Sequence, residues 1–247
     1  MQAVVDKLVV NYELLKNSNS DKHLIILPGW LCTSADWLST AQELNQAYNV
    51  VILDFPGFGI TSQSPSDLDT YGYADFTESF LKKLNITKPI LLGHSFGGRV
   101  ATILATKPSL VEKLILIDSA GLEKRNLWKK MKQTAVNMLK ISIPFLPKGV
   151  IFRLRSLLGS TDYKNAGTMR GTLVKVVSQN LRYLLKQITV PVLVIWGDKD
   201  SQLSVKMTKV YQQEIPGAKI RIVWGAGHNP HLDKPEKLLE ILNEFLC

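Results

Sequence analysis

Cysteine is scarce: Cys32 and Cys247 stand far apart, the second at the last position. That pattern suits reduced thiols and excludes a disulfide-stapled scaffold. Long apolar runs are missing as well, and none approaches the roughly 20 residues that cross a bilayer. Residues 1–15 carry Asp6 and Glu13 and lack a basic start followed by an uninterrupted apolar stretch. No signal peptide is read there, and the cytoplasm is the expected compartment. Acidic residues are thin in one place only. Residues 123–186 hold 14 Lys and Arg against Glu123 and Asp162, whereas the rest of the chain holds 16 against 19. The net charge of +9 therefore belongs to one segment. With no zinc-finger spacing, no RNP-like run and no repeat, a nucleic-acid partner is not expected.

What is present is a globular composition, 45% hydrophobic and 21% charged, in a length that commonly forms one domain with an excursion. Short apolar runs recur at 23–27, 50–53, 89–92, 113–117, 190–195 and 219–223, each ended by turn residues and followed by an amphipathic stretch. Their near-continuous Ile, Leu and Val predict parallel strands buried on both faces. Residues 4–15 predict an added antiparallel edge strand or hairpin. Tyr73, Phe76, Phe80, Leu81 and Leu84 follow helical spacing, as do Leu238, Leu239, Leu242, Phe245 and Leu246. The long break at 123–186, rich in Leu, Met, Ile and basic residues, reads as a helical cap inserted into a core formed by 1–122 and 187–247.

The run Gly93-His94-Ser95-Phe96-Gly97-Gly98 follows a strand and precedes a helix-like stretch, 99–106. A serine at such a turn sits in a strained backbone whose neighbours must be small. A serine hydroxyl also needs a base held by a third group, so an acid and then a histidine are expected beyond later strands. Strand 190–195 runs into Trp196-Gly197-Asp198-Lys199-Asp200, and strand 219–223 into Trp224-Gly225-Ala226-Gly227-His228. One oxyanion donor would be the N–H after the serine, at Phe96, and a second would come from the loop after strand 23–27. His94 is read as a packing residue. His231 follows His228 closely, but no carboxylate or cysteine cluster accompanies them, so no metal site is expected.

From Leu24 onward, apart from the cap, the chain resembles the α/β-hydrolase superfamily, in particular the small capped esterases and C–C-bond hydrolases. The matching stretches are Leu27-Pro28-Gly29-Trp30, Asp54-Phe55-Pro56-Gly57-Phe58-Gly59, Gly93 to Gly98, Gly197-Asp198-Lys199-Asp200, and Gly225 to His228 with Asp233-Lys234-Pro235-Glu236. The resemblance implies the α/β-hydrolase fold, a mostly parallel central sheet flanked by helices with an inserted helical cap. It implies catalytic roles for Ser95, Asp200 and His228, an oxyanion hole of the Trp30 and Phe96 amides, and no cofactor or metal. Asp118, after strand 113–117, is the alternative acid, because some relatives place the acid there. Asp54 is expected to be structural. Pro28 departs from the family's usual His and loosens the expectation for the Trp30 donor.

The implied activity is that of a carboxylesterase on short to medium apolar acyl esters. The competitors are a C–C-bond hydrolase of vinylogous diketones using the same triad, and a non-catalytic binding protein on the same fold. A dehalogenase would carry Asp where this chain has Ser95. The run 127–158 interleaves apolar and basic residues. It is expected to give a cap with an apolar face on the pocket and a solvated basic face. The alternative is a lid meeting an anionic membrane or an acidic substrate.

Overall fold

A computed structural model describes residues 1–122 and 166–247. Eight strands form one sheet: β1 (Gln2–Val5), β2 (Leu8–Leu15), β3 (His23–Leu27), β4 (Asn49–Leu53), β5 (Ile90–His94), β6 (Lys113–Ile117), β7 (Val192–Gly197) and β8 (Lys219–Val223), in the order β1-β2-β4-β3-β5-β6-β7-β8. The expected hairpin is β1–β2, turned at Asp6 and Lys7, whose φ values of 48° and 68° match the mirror-image turns that favour strand twist. β2 pairs antiparallel with β4, and β3 through β8 are parallel.

Alternate residues of each central strand serve two cores. In β4, β5 and β6, Val51, Leu53, Leu91, Leu114 and Leu116 face one layer, and Val50, Ile52, Ile90, Leu92, Ile115 and Ile117 face the other. The helices α1 (Leu38–Leu44), α2 (Thr70–Lys83), α3 (Phe96–Leu104), α4 (Arg170–Ser178), α5 (Met207–Glu214) and α6 (Pro235–Leu246) cover them. α2 and α3 bring Tyr73, Phe80, Val100 and Leu104 to the first layer; α1 and α6 bring Leu44, Leu238 and Leu242 to the second. The Asp69 side chain accepts from Gly72 N at 2.8 Å, satisfying one of the donors that a helix start leaves open in α2.

The chain leaves β3 outward to β4, then crosses back to β5 on β3's other side. Loops after β3 and β5 therefore diverge and open a crevice at the carboxyl ends of the strands, where ligands bind in open α/β sheets. Ser95 and Trp30 both follow strands at this crevice.

Residues 123–165 lie outside the described residues, and with them the apolar and basic run 127–158. The described remainder of the expected insertion is helical: a 3₁₀ turn at Gly167–Met169, then α4, then a 3₁₀ segment at Arg182–Gln187. Arg99, buried in α3, donates to Val176 O at 3.0 Å and Gln179 O at 2.9 Å. A cation is thereby set at the carbonyl end of α4, where it adds a donor to carbonyls of the last turn and meets the negative end of the helix dipole. No helix among the described residues is long and apolar enough to cross a membrane.

Candidate active site

Ser95 sits between β5 and α3 with φ 49° and ψ −108°, a left-handed-side backbone that costs a non-glycine residue energy. The packing that holds it there leaves no room beside it. A Cβ on Gly97 would collide with the carbonyls of Leu27 and Pro28, and one on Gly93 would lie 2.6 Å from Gly97 O. Gly97 N donates to Pro28 O at 3.0 Å, and Ser95 N donates to Ile117 O at 3.0 Å, so the turn is pinned to the loop after β3 and to the end of β6. The expected glycine-flanked elbow is the one observed, and α3 begins at Phe96, directly after the serine.

The residues expected from separate strands come together. Ser95 Oγ and His228 Nε2 are 2.9 Å apart, and His228 Nδ1 and Asp200 Oδ2 are 2.8 Å apart. The Asp200 side chain is buried, and that of His228 is 9% exposed. Burial raises the affinity of Asp200 for a proton. The hydrogen bonds from His228, Leu203 N at 2.9 Å and Gln202 N at 2.7 Å outweigh it, and the carboxyl ends below its ordinary range. An ionised Asp200 accepts a hydrogen bond from Nδ1–H, which keeps the proton there and leaves the Nε2 lone pair facing Ser95. Asp198, the nearby acid, instead accepts from Gly225 N.

Phe96 N–H is the first of α3, a position without an intrahelical acceptor. Trp30 lies in the loop held against it by the Gly97–Pro28 bond, and the Trp30 and Phe96 rings meet edge-on at 5.5 Å between centroids. Trp30 also meets Phe58 at 5.2 Å, and Phe55, Phe58, Tyr73 and Phe96 continue the edge-to-face packing behind it. Where Pro28 replaces histidine, the loop is tied through main-chain atoms and through Asp54. Asp54 Oδ1 accepts from Ser34 N at 2.6 Å, while Oδ2 accepts from Asn11 Nδ2 at 2.7 Å. Asp54 is thus a brace between three segments, in its expected structural part.

Sequence reasoning missed two arrangements. His94 Nε2 lies 2.8 Å from His228 O, so a residue read as packing also fastens the His228 loop. Burial pulls its pKa down to about 3, aided by His231 and His228, and the ring is neutral at pH 7. His231 stacks on Trp37 at 3.8 Å between centroids. The second arrangement is at Asp118, read as a substitute acid. Its Oδ1 accepts from Gly197 N at 3.0 Å, and ligand atoms of Asp118, Asp200 and His228 lie within 4.8 Å of one another. Among the described residues this is the one His, Cys, Asp or Glu set compact enough for a metal, and both His228 nitrogens are already engaged by Asp200 and Ser95. His94 carried a local signal, ending β5 directly before Ser95, whereas Asp118 follows β6 and meets Asp200 only through the lateral pairing of β6 with β7.

A family model for the alpha/beta hydrolase family matches residues 24–241. The chain belongs to this family. Among its relatives is the human monoacylglycerol lipase ABHD6, 27% identical over 91% of this chain and 75% of that protein. Another is the uncharacterized hydrolase YugF of Bacillus subtilis, 24% identical over 98% and 96%. Among solved structures, a membrane phospholipase A described as a bacterial virulence factor superposes with a TM-score of 0.79 at 25% identity, covering all of this chain and 84% of that one. The eight-stranded, mostly parallel sheet flanked by helices is the fold of this family.

Proposed function

We propose that this alpha/beta hydrolase is a serine carboxylesterase that cleaves short to medium apolar acyl esters. The observation that carries the reading is the unbroken hydrogen-bond chain from Ser95 Oγ through His228 to Asp200, starting at a strained serine. His228 takes the serine proton as Oγ attacks the ester carbonyl, and Asp200 holds the tautomer and stabilises the imidazolium. The oxyanion is received by the Phe96 and Trp30 amides. His228 then protonates the departing alcohol, and the acyl-enzyme is released by water that His228 activates. No organic cofactor or metal takes part in this sequence.

An apolar acyl group is supported by the aromatic wall of Trp30, Phe58 and Phe96 beside the serine. The name of the human relative supports including monoacylglycerols among the substrates tried. That neither Cys32 nor Cys247 is in a disulfide supports a cytoplasmic setting.

The test is fluorophosphonate labelling together with a panel of acyl esters graded in chain length, run on the wild type and on Ser95→Ala. Labelling at Ser95, and turnover of apolar acyl esters that Ser95→Ala abolishes, are expected. A folded wild type that neither labels nor cleaves any apolar ester overturns the reading.

A further inference from the structure

We propose that Asp118 is a positioning residue for the triad acid: a carboxyl group kept protonated so that it donates a hydrogen bond to Asp200. This rests on the reading of Asp200 as the partner of His228 in catalysis.

Asp118 follows β6 with φ 41°, a second strained residue at the end of a strand beside Ser95's own. Its side chain is fully buried. Oδ1 receives the Gly197 N–H, but Oδ2 is buried and meets no donor, and an oxygen of Asp118 and one of Asp200 lie within 4.8 Å of each other. Two ionised carboxylates at that separation would repel in a poorly solvated place, so the pair holds one proton. The donors decide where it goes. Asp200 accepts from Gln202 N, Leu203 N and His228 Nδ1, whereas Asp118 accepts from Gly197 N alone. Asp200 is the anion with more hydrogen-bond donors, and the proton falls to Asp118.

The titratable groups that face Asp118 are Asp200 from the loop after β7, and His228 and Asp233 from the segment after β8. Burial, with the two aspartates adding to it against the Gly197 bond, pushes Asp118 up to about 9. As a neutral acid it offers an O–H, and the available acceptor is Asp200. That fourth donor fixes the Asp200 rotamer toward His228. It also weakens Asp200 as a base, so the Nδ1 proton stays on the histidine.

A role as a mere cap for Gly197 N–H predicts something different, because such a cap works best ionised. Carbon-13 NMR of the aspartyl carboxyls in the wild type reads the proton directly. One carboxyl that stays protonated at pH 7, and whose signal is lost in Asp118→Asn, is expected. Full ionisation of every aspartate at pH 7, or a protonated signal that survives Asp118→Asn, overturns the proposal.

Stability supplies a second readout. A carboxyl whose folded pKa lies above its unfolded value of 3.8 loses stability for the fold as pH rises between the two. Asp118→Asn, neutral throughout, should melt several degrees above the wild type at pH 8, with the gap closing toward pH 4; a gap that does not change with pH counts against the idea. In catalysis, Asp118→Asn keeps a donor and Asp118→Leu does not. We expect kcat at least about tenfold higher for Asn than for Leu, with KM alike, and equal kcat values would contradict the donor role. Failure of fluorophosphonate labelling would instead sink the triad reading, whereas a missing carboxyl proton sinks this one alone.

Discussion

The two halves of the crevice are built by opposite means. On one side, Ser95, His228, Asp200 and Asp118 are held by directed hydrogen bonds between groups from four strand ends, each within 3.0 Å of a partner. On the other, Trp30, Phe55, Phe58, Tyr73 and Phe96 are held by shape, ring edge against ring face. Hydrogen bonds fail steeply with small displacements, whereas apolar contacts soften gradually. The first half should be intolerant of substitution and the second graded.

The strongest break is Ser95→Ala, expected to lower kcat/KM by at least about 10⁴-fold while the melting temperature holds, measured on the fastest ester. Asp200→Asn comes next, with kcat down by about 10³ to 10⁴ and KM little changed, because the amide cannot hold the Nδ1 proton as an anion does. Gly97→Ala drives a methyl into the loop after β3 and should cost roughly 10² to 10³ in kcat by moving an oxyanion donor. Arg99→Met strands the Gln179 carbonyl and leaves Val176 O with the Gln179 N–H alone; denaturant melts should show a loss of about 2–3 kcal/mol. The smallest effect is expected for Trp30→Ala, a rise in KM of less than about tenfold that grows with acyl chain length. A Trp30→Ala loss as large as that of Asp200→Asn would erase the contrast between the halves.

The sheet was legible because strands buried on both faces write themselves as runs of Ile, Leu and Val; β3, β6 and β8 have the bounds their sequence predicts. β5 and β7 run on to His94 and Gly197, past their apolar runs. Sheet pairing carries them there, with Gly93 set against Leu27 and Leu116, and Gly197 against Val223. Local propensity undervalues glycine in such a place because the ladder, not the side chain, holds it. The start of α3 was hidden for the same reason, behind Gly97 and Gly98. Ser95, Asp200 and His228 could be found because each follows a strand in a recognisable loop. The company of Asp118 could not: its meeting with Asp200 depends on β6 and β7 lying side by side, a lateral order that no spacing along the chain records.

β8 is the outer strand of the sheet, and His228 hangs from the loop after it. That placement has a consequence in time. During synthesis the serine and its elbow emerge well before the histidine, and domains organise as the chain lengthens. A ribosome-bound chain that stops short of β8 would therefore present a formed elbow with no base, chemically silent until the last strand docks.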